Sequence, residues 1–198
     1  MKTPYRHYDV LDKWSTPSFD APTRAVLTER LHVLPPRRFF TPEEWTLLQA
    51  VTARVLPQLD RIEPVPIVPW LDEQLWAGRG EGFRHEGTAP MRQAWRDGLA
   101  AIEAEAQRRH GCGFAALHAA SGDALLGVLA QGGADPALWR AEAAQHFFIH
   151  ILVKSIVAIY YAHPAAWSEI GFGGPASPRG YVRLGADERD AWEARERE

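Results

Sequence analysis

The run FFIHILVKSIVAIYY, residues 147–161, decides how this chain folds. Apolar side chains occupy all sides of a helix drawn through it, which is typical of a helix buried inside a protein. We predict a long buried helix that starts at Asp135 and Pro136, because a capping residue followed by proline often begins a helix. His150 and Lys154 interrupt the apolar residues, so the uninterrupted run is far shorter than the roughly 20 residues that span a bilayer. We therefore expect no membrane span.

Helix signals recur along the rest of the chain, and no alternating apolar and polar run is long enough to predict a strand. The strongest start is Thr41-Pro42-Glu43-Glu44, which has the composition of a capping box with proline in the first turn. We expect the segment from Phe114 to Ala130 to form one or two helices, with a break near Ser121-Gly122. The remaining predicted helices are 20–33, 41–57, 68–77 and 90–110. The sequence thus predicts an all-α fold, a single-domain helical bundle.

Composition narrows the functional class. The chain has 198 residues with a net charge of −3, which gives no reason to expect nucleic acid or an anionic membrane as its partner. Eight tryptophans are many for this length, and tryptophan is enriched at protein interfaces, so the composition favours a subunit. The single cysteine, Cys112, excludes a disulfide framework and a covalently attached c-type haem.

The segment that follows the apolar helix reads YYAHPAAWSEIGFGGPASPRGY, residues 160–181, and we call it the Gly/Pro segment. Prolines fix the backbone, and glycines permit turns that other residues cannot make. We expect a rigid loop in which Trp167, Phe172 and Tyr181 are apolar anchors and Arg179 offers a fork of donors. Because aromatic residues and arginine dominate binding energy at interfaces, we predict a docking surface at these four residues rather than an active site.

The Gly/Pro segment resembles the C-terminal signature of the gluconate 2-dehydrogenase subunit 3 family, from Tyr-Tyr-x-His-Pro to Pro-Arg-Gly-Tyr. A second similarity begins at Phe40-Thr-Pro-Glu-Glu-Trp and continues to Pro57. It is followed by a third at Val68-Pro-Trp-Leu-Asp72, and Asp190-Ala-Trp-Glu193 fits the usual ending of the family. The resemblance covers about residues 38–194.

This resemblance implies the small, non-catalytic subunit of a flavin-dependent sugar or polyol dehydrogenase complex. The large subunit would be a flavoprotein of the glucose–methanol–choline type that carries the FAD and the catalytic groups, so no cofactor is expected in this chain. The small subunit would stabilise or mature the large one, in the manner of a chaperone. Electrons often leave such complexes through a cytochrome c subunit, and related complexes oxidise gluconate, glucose, sorbitol and glycosides.

The resemblance also suggests a division of the chain. We predict an N-terminal arm and helix at 1–37, a subunit-3-like domain at 38–184 and a charged tail at 185–198. The aromatic-rich residues 1–19 are expected to lie as an arm on a neighbouring molecule. Many family members carry an export signal, whereas here Arg37-Arg38-Phe39-Phe40 is followed by an acidic helix start. We therefore expect a cytoplasmic protein unless the large subunit carries a signal.

An alternative from another functional class stays open. Glu142, His146 and His150 recur every fourth residue and would share one helix face, so the chain could be an electron-transfer or metal- or haem-binding subunit. Hydrogen-bonded core histidines are the ordinary explanation of such residues. His163 is expected to act as a cation at a helix C-terminus, and a catalytic role for it would need Glu169.

Overall fold

The structure is a computed structural model of the chain, and it describes residues 3–59, 61–79, 89–139, 143–175 and 194–195. Within these residues it contains helices and no strand, which confirms the all-α class. The helices are α1 (Ala21–His32), α2 (Pro42–Val55), α3 (Ile67–Trp76), α4 (Met91–His110), α5 (Ala119–Ala130), α6 (Ala143–Tyr161) and α7 (Pro164–Ile170). Short 3₁₀ turns form at Val10–Lys13 and Phe114–Ala116.

The chain groups into two compact units. The first unit combines Met1–Leu34 with Tyr160–Glu198, and the second unit is Pro35–Ile159. The division into 1–37, 38–184 and 185–198 that the sequence suggests is a different partition, and it stays a prediction.

In the second unit a buried carboxylate fixes the stretch of chain before α2. Asp72 of α3 is fully buried, and its two oxygens accept hydrogen bonds from three successive backbone N–H groups. The donors are Arg38 at 2.6 Å, Phe39 at 3.1 Å and Phe40 at 2.8 Å. The Asp72 side chain thereby accepts hydrogen bonds from backbone N–H groups that lie outside any helix. Both of its buried oxygens are hydrogen-bonded.

The capping box predicted at Thr41 is confirmed, and it connects α2 to α4. The Glu44 N–H donates to Thr41 Oγ1 at 3.2 Å, and the Thr41 N–H donates to Glu44 Oε2 at 2.8 Å. Glu44 also accepts from Arg96 of α4 at 3.0 Å, and another Arg96 nitrogen donates to the Phe39 carbonyl at 3.0 Å. The Arg96 guanidinium lies 4.6 Å from the centre of the Phe39 ring. Helices α2, α3 and α4 therefore share one polar network.

A row of aromatic rings runs from this network through the core of the second unit. Ring centroids are 6.0 Å apart for Phe40 and Trp95, 5.5 Å for Trp95 and Phe147, and 6.0 Å for Phe147 and Trp139. The Phe147 ring lies directly on the α4 backbone at Gly98, where a Cβ atom would overlap it. A glycine inside a helix costs roughly 0.5–1 kcal/mol relative to alanine, and here it allows the α6 ring to reach α4.

Asp135 begins a turn, so the helix start predicted there is wrong. Fully buried Glu105 of α4 accepts from Arg109 Nε at 2.6 Å and from the Asp135 N–H at 2.5 Å. The Asp135 side chain in turn accepts from the Ala137 N–H at 2.8 Å. These bonds hold Asp135 against α4, and α6 begins at Ala143 among the described residues.

Helix α6 is buried along one side rather than all round, which corrects the sequence expectation. Leu152 and Ile156 are fully buried, whereas Ile149 is 40% exposed. By length and apolar composition alone, α6 could cross a membrane, and the core helix of a soluble protein can have the same composition. In its most apolar 18-residue stretch, 39% is buried. Its middle, Phe147–Val153, is a π-helix, a rare form that is frequent at functional sites.

Helix α5 runs through Ser121 and Gly122 without interruption, so the break predicted near these residues is wrong. Leu125, Leu126 and Leu129 are buried on its inner side. Their burial outweighs the helix-weakening effect of one glycine, which is about 1 kcal/mol.

We expect Asp72→Asn to lower the free energy of unfolding by about 3 kcal/mol. Asparagine keeps the shape but has one carbonyl oxygen, so a buried N–H loses its partner and the remaining bonds lose their charge. Urea denaturation measures the loss. Glu73→Gln is the matched control, because it weakens ion pairs to Arg38 and Arg79, whose side chains are 42% and 63% exposed, and should cost less than about 1 kcal/mol. Equal losses from both variants would contradict the role assigned to Asp72.

Candidate docking surface

The first unit contains the described part of the Gly/Pro segment, residues 160–175. Two of the four predicted docking residues, Trp167 and Phe172, belong to this part. Arg179 and Tyr181 lie outside the described residues, and their role stays a prediction.

A short helix, α7, forms inside the segment where the sequence analysis expected a loop. Pro164 occupies its first position and Gly171 ends it with a left-handed φ of 68°. His163 caps its start, since Nδ1 accepts a hydrogen bond from the Ala165 N–H at 3.3 Å. An accepting nitrogen carries no proton, so the prediction that His163 acts as a cation at a helix C-terminus is wrong.

Glu169 is bound to a tyrosine in the structure. Its Oε2 atom accepts from the Tyr160 hydroxyl at 2.5 Å, and its backbone carbonyl accepts from Thr3 Oγ1 at 2.6 Å. Two oxygens of Glu169, one of the side chain and one of the backbone, thus accept hydrogen bonds that build the segment.

Trp167 is buried and supports Phe172. Only 5% of Trp167 is exposed, and its indole N–H donates to the Tyr161 carbonyl at 2.5 Å. The Phe172 ring meets the Trp167 ring edge-on with centroids 5.6 Å apart, and the Phe172 N–H donates to the Trp167 carbonyl at 2.9 Å. Phe172 itself is 46% exposed. Of the two, Phe172 offers the surface, and Trp167 fixes its position.

The N-terminal arm, residues 3–20, lies on the Gly/Pro segment of its own chain. Contacts within the chain correct the expectation that the aromatic-rich N-terminal residues lie on a neighbouring molecule. The connecting hydrogen bonds run from Thr3 Oγ1 to Glu169 O (2.6 Å), Tyr8 Oη to Phe172 O (3.3 Å), Val10 N to Ser168 Oγ (3.1 Å) and Lys13 Nζ to Gly173 O (3.1 Å). Two successive backbone carbonyls, those of Phe172 and Gly173, thus accept hydrogen bonds from side chains of the arm.

The arm is also packed through apolar contacts. Val10, Phe19 and Leu27 form a buried cluster with Trp167. Lys13 is buried, with 4% exposed, and its ammonium lies 5.6 Å from the centre of the Tyr8 ring. A buried ammonium must be hydrogen-bonded to be tolerated, and the Gly173 carbonyl provides one such bond. Sequence analysis missed Lys13 because a single lysine in a segment without periodicity carries no burial signal.

Burial, and after it the nearby carboxylates of Asp9 and Asp12, raise the pKa of Tyr8 to about 12. The Tyr8 phenol therefore remains protonated at neutral pH and can donate to the Phe172 carbonyl.

The histidines of the alternative hypothesis lie on α6 in the second unit. Their ring centroids are 5.2 Å apart, and His146 is half-buried while His150 is exposed. Glu142 lies outside the described residues. Among the described residues no group of three potential ligands is placed to hold a metal ion. The pair supplies two of the three or four ligands that zinc sites use.

Comparison with known families decides the relationship. The family model described as gluconate 2-dehydrogenase subunit 3 matches residues 42–174, about two thirds of the chain. The chain belongs to the gluconate 2-dehydrogenase subunit 3 family. Membership makes it an accessory subunit of a dehydrogenase complex and implies a dehydrogenase subunit as its partner. No curated protein and no solved structure matched it.

In this subunit 3 protein, the matched region and the arm are separate stretches of sequence. The match ends at Gly174 and starts after the arm, so Tyr8, Val10 and Lys13 lie outside it. The residues Arg37 and Arg38 also precede the match and are built into the second unit. Arg37 donates to the Phe40 carbonyl at 2.8 Å, and Arg38 pairs with Glu73 at 2.6 Å.

We expect Gly171→Ala to destabilise the first unit by about 3 kcal/mol. The left-handed φ costs an alanine roughly 1–2 kcal/mol, and overpacking adds a similar amount. The added Cβ would lie 2.8 Å from the Tyr5 ring and from Ala194. Gly111→Ala is the matched control, because φ there is +72° but no atom lies within 4 Å. Denaturation curves that show the same loss for both variants would contradict the packing of Tyr5 on Gly171.

Stability should fall between about pH 10 and pH 12, and Tyr8→Phe should make this decline shallower. In that range the unfolded chain releases the Tyr8 proton while the folded chain, with its pKa of about 12, retains it. The unfolded state then binds fewer protons, so the free energy of unfolding decreases as pH rises; below pH 10 Tyr8 contributes no pH dependence. Urea titrations at several alkaline pH values measure the slope. Identical slopes for both proteins would overturn this account of Tyr8.

Proposed function

We propose that this protein is the non-catalytic small subunit of a flavin-dependent sugar or polyol dehydrogenase complex. In this proposal it binds and stabilises a large subunit of the glucose–methanol–choline type, which carries FAD and the catalytic groups. Electrons pass from that subunit to a cytochrome c subunit or another acceptor. Family membership supports the role as a subunit, and the placement of Phe172 supports the docking surface.

The observation that carries the proposal is that Phe172 is 46% exposed on a fixed backbone. Trp167 contacts its ring, and Tyr8 and Lys13 hold the carbonyls of residues 172 and 173. Ordering a flexible loop would weaken binding, so a segment already held in place has an advantage as a docking surface. Full burial of such a ring contributes roughly 1.5–3 kcal/mol, so covering the exposed half of Phe172 contributes about half of that.

The polar side chains around Phe172 favour docking over catalysis. His163 uses Nδ1 to cap α7, and Glu169 accepts a hydrogen bond from Tyr160. Tyr8 is a protonated donor to the Phe172 carbonyl, and burial raises its pKa to about 12. General acid–base catalysis works best with a group whose pKa is near the operating pH. These groups instead serve to hold the segment in shape.

Stabilisation of the large subunit follows from binding itself. A partner that binds only the folded dehydrogenase shifts its folding equilibrium in proportion to the logarithm of the ratio of partner concentration to Kd. A non-catalytic subunit can therefore determine how much active enzyme accumulates. In this proposal no chemical group of the small subunit has to reach the substrate.

The test is co-expression with the dehydrogenase encoded beside this chain, purification through a tag on this chain, and a visible spectrum. We expect a flavoprotein to co-purify. Phe172→Ala combined with Arg179→Ala should weaken the complex by about a hundredfold, because each residue type carries more than 1 kcal/mol at interface hot spots. Trp76→Ala is the matched control, since Trp76 is 48% exposed in the second unit. Co-purification unchanged by the double substitution would rule out this docking surface.

A second candidate function, an electron-transfer or metal- or haem-binding subunit, is favoured by one observation. The rings of His146 and His150 are 5.2 Å apart, and His150 is exposed. It predicts a haem absorption band or stoichiometric metal in the isolated chain, removed by His146→Ala and His150→Ala. A colourless, metal-free chain that still binds the flavoprotein decides against it.

A further inference from the structure

The loop between α2 and α3 carries the most exposed large apolar side chains among the described residues. Leu59 is 93% exposed and Ile62 is 99% exposed. Single exposed apolar residues are ordinary on protein surfaces and need no explanation. Two almost completely exposed aliphatic side chains in one short loop of a subunit are a small apolar tip that a partner can cover.

The base of the loop is held by hydrogen bonds. Gln58 forms two hydrogen bonds with the backbone of Val65, from Nε2 to the carbonyl at 3.2 Å and from the Val65 N–H to Oε1 at 2.8 Å. The Arg61 N–H closes a turn onto the Gln58 carbonyl at 3.2 Å. Pro57 and Pro64 restrict φ on either side of the tip. Leu59 and Ile62 are therefore carried by a loop whose base is fixed by hydrogen bonds.

We propose that Leu59 and Ile62 are a second attachment point for the dehydrogenase subunit and enter an apolar pocket on its surface. This inference rests on the proposed function, since it assigns a further contact to the same partner. It goes beyond the Gly/Pro segment, because the loop belongs to the second unit and the segment belongs to the first.

The size of the tip determines which kind of partner it can bind. A fully buried leucine or isoleucine side chain removes roughly 100 Å² of apolar surface from water, so the pair contributes about 200 Å². A stable interface buries about 800 Å² on each partner. The tip is therefore too small to hold a partner alone, and it fits a protein that is already bound elsewhere on the chain. The dehydrogenase subunit is that protein, and the loop lies within the family match at 42–174.

The charges beside the tip favour a protein over a lipid surface. The sequence around Leu59 and Ile62 contains two acidic residues, Asp60 and Glu63, and one basic residue, Arg61. Loops that bind anionic membranes carry clusters of basic residues, each contributing about 1 kcal/mol. Charges of both signs, with an acidic excess, do not attract an anionic membrane, and a polar rim around an apolar tip is typical of a protein interface.

The test compares the wild-type chain with the double variant Leu59→Asp, Ile62→Asp in titrations against the purified dehydrogenase subunit. We expect the thermal midpoint to stay unchanged, because both side chains are almost fully exposed, and the affinity to fall at least about tenfold. Gln58→Ala should give a smaller loss, since it releases the base of the loop but keeps the tip. Leu34→Asp is the matched control, at an apolar residue that is 68% exposed in the first unit.

Each outcome decides between the inference and its rivals. If the wild-type chain binds the dehydrogenase and the double variant binds equally well, the loop assignment is wrong while the proposed function stands. If the wild-type chain does not bind, both are wrong. If Leu34→Asp lowered the affinity by the same factor, the added negative charge would explain the loss, and the assignment of Leu59 and Ile62 would be wrong. If the wild-type chain dimerised in sedimentation and the double variant did not, the partner of the loop would be a second copy. If only the wild-type chain bound phosphatidylglycerol vesicles, the partner would be a membrane.

Discussion

The second unit depends on one buried carboxylate. Asp72 accepts the N–H groups of residues 38–40, a stretch that belongs to no helix and enters the core ahead of α2. Without this acceptor, buried backbone donors would have no partner, at a cost of about 1–3 kcal/mol each. With it, Phe39 and Phe40 are placed so that Arg96 can contact one and Trp95 the other. The aromatic row of the core thus begins at a polar contact.

In the first unit, side-chain donors take the place of the carboxylate and bind an irregular stretch of backbone. The backbone at Phe172 and Gly173 follows a left-handed glycine that ends α7, and its carbonyl oxygens lie outside any described helix. The Tyr8 phenol and the Lys13 ammonium, both from the N-terminal arm, donate to these carbonyls. In both units, therefore, a buried or half-buried polar side chain fixes an irregular stretch of backbone.

Local signals explain which parts of the fold could be predicted from sequence. Helices α1 to α4 lie close to their predicted bounds, because capping residues, prolines and apolar spacing agree with one another there. The sequence analysis missed α7 although Pro164 and Gly171 occupy the typical start and end positions of a helix, since its glycines and prolines were interpreted together as a loop. The contacts that fix Asp135 and the arm join residues distant in sequence, such as Glu105 with Asp135 and Lys13 with Gly173, and no local pattern encodes them.

The predicted docking residues show that residue type alone does not distinguish a side chain that would contact a partner from one that only supports its neighbour. Trp167 and Phe172 are both aromatic and lie five positions apart, so the sequence gives them equal status as hot-spot candidates. In the structure Trp167 is 5% exposed and Phe172 is 46% exposed, because the indole N–H binds the Tyr161 carbonyl and turns the larger ring inward. A partner cannot remove more water from a side chain that is already buried in the free subunit. In the proposed interface Trp167 would therefore contribute only by fixing the position of Phe172. By the same reasoning the arm belongs to the proposed docking surface, since Tyr8 and Lys13 hold the backbone on which Phe172 is presented.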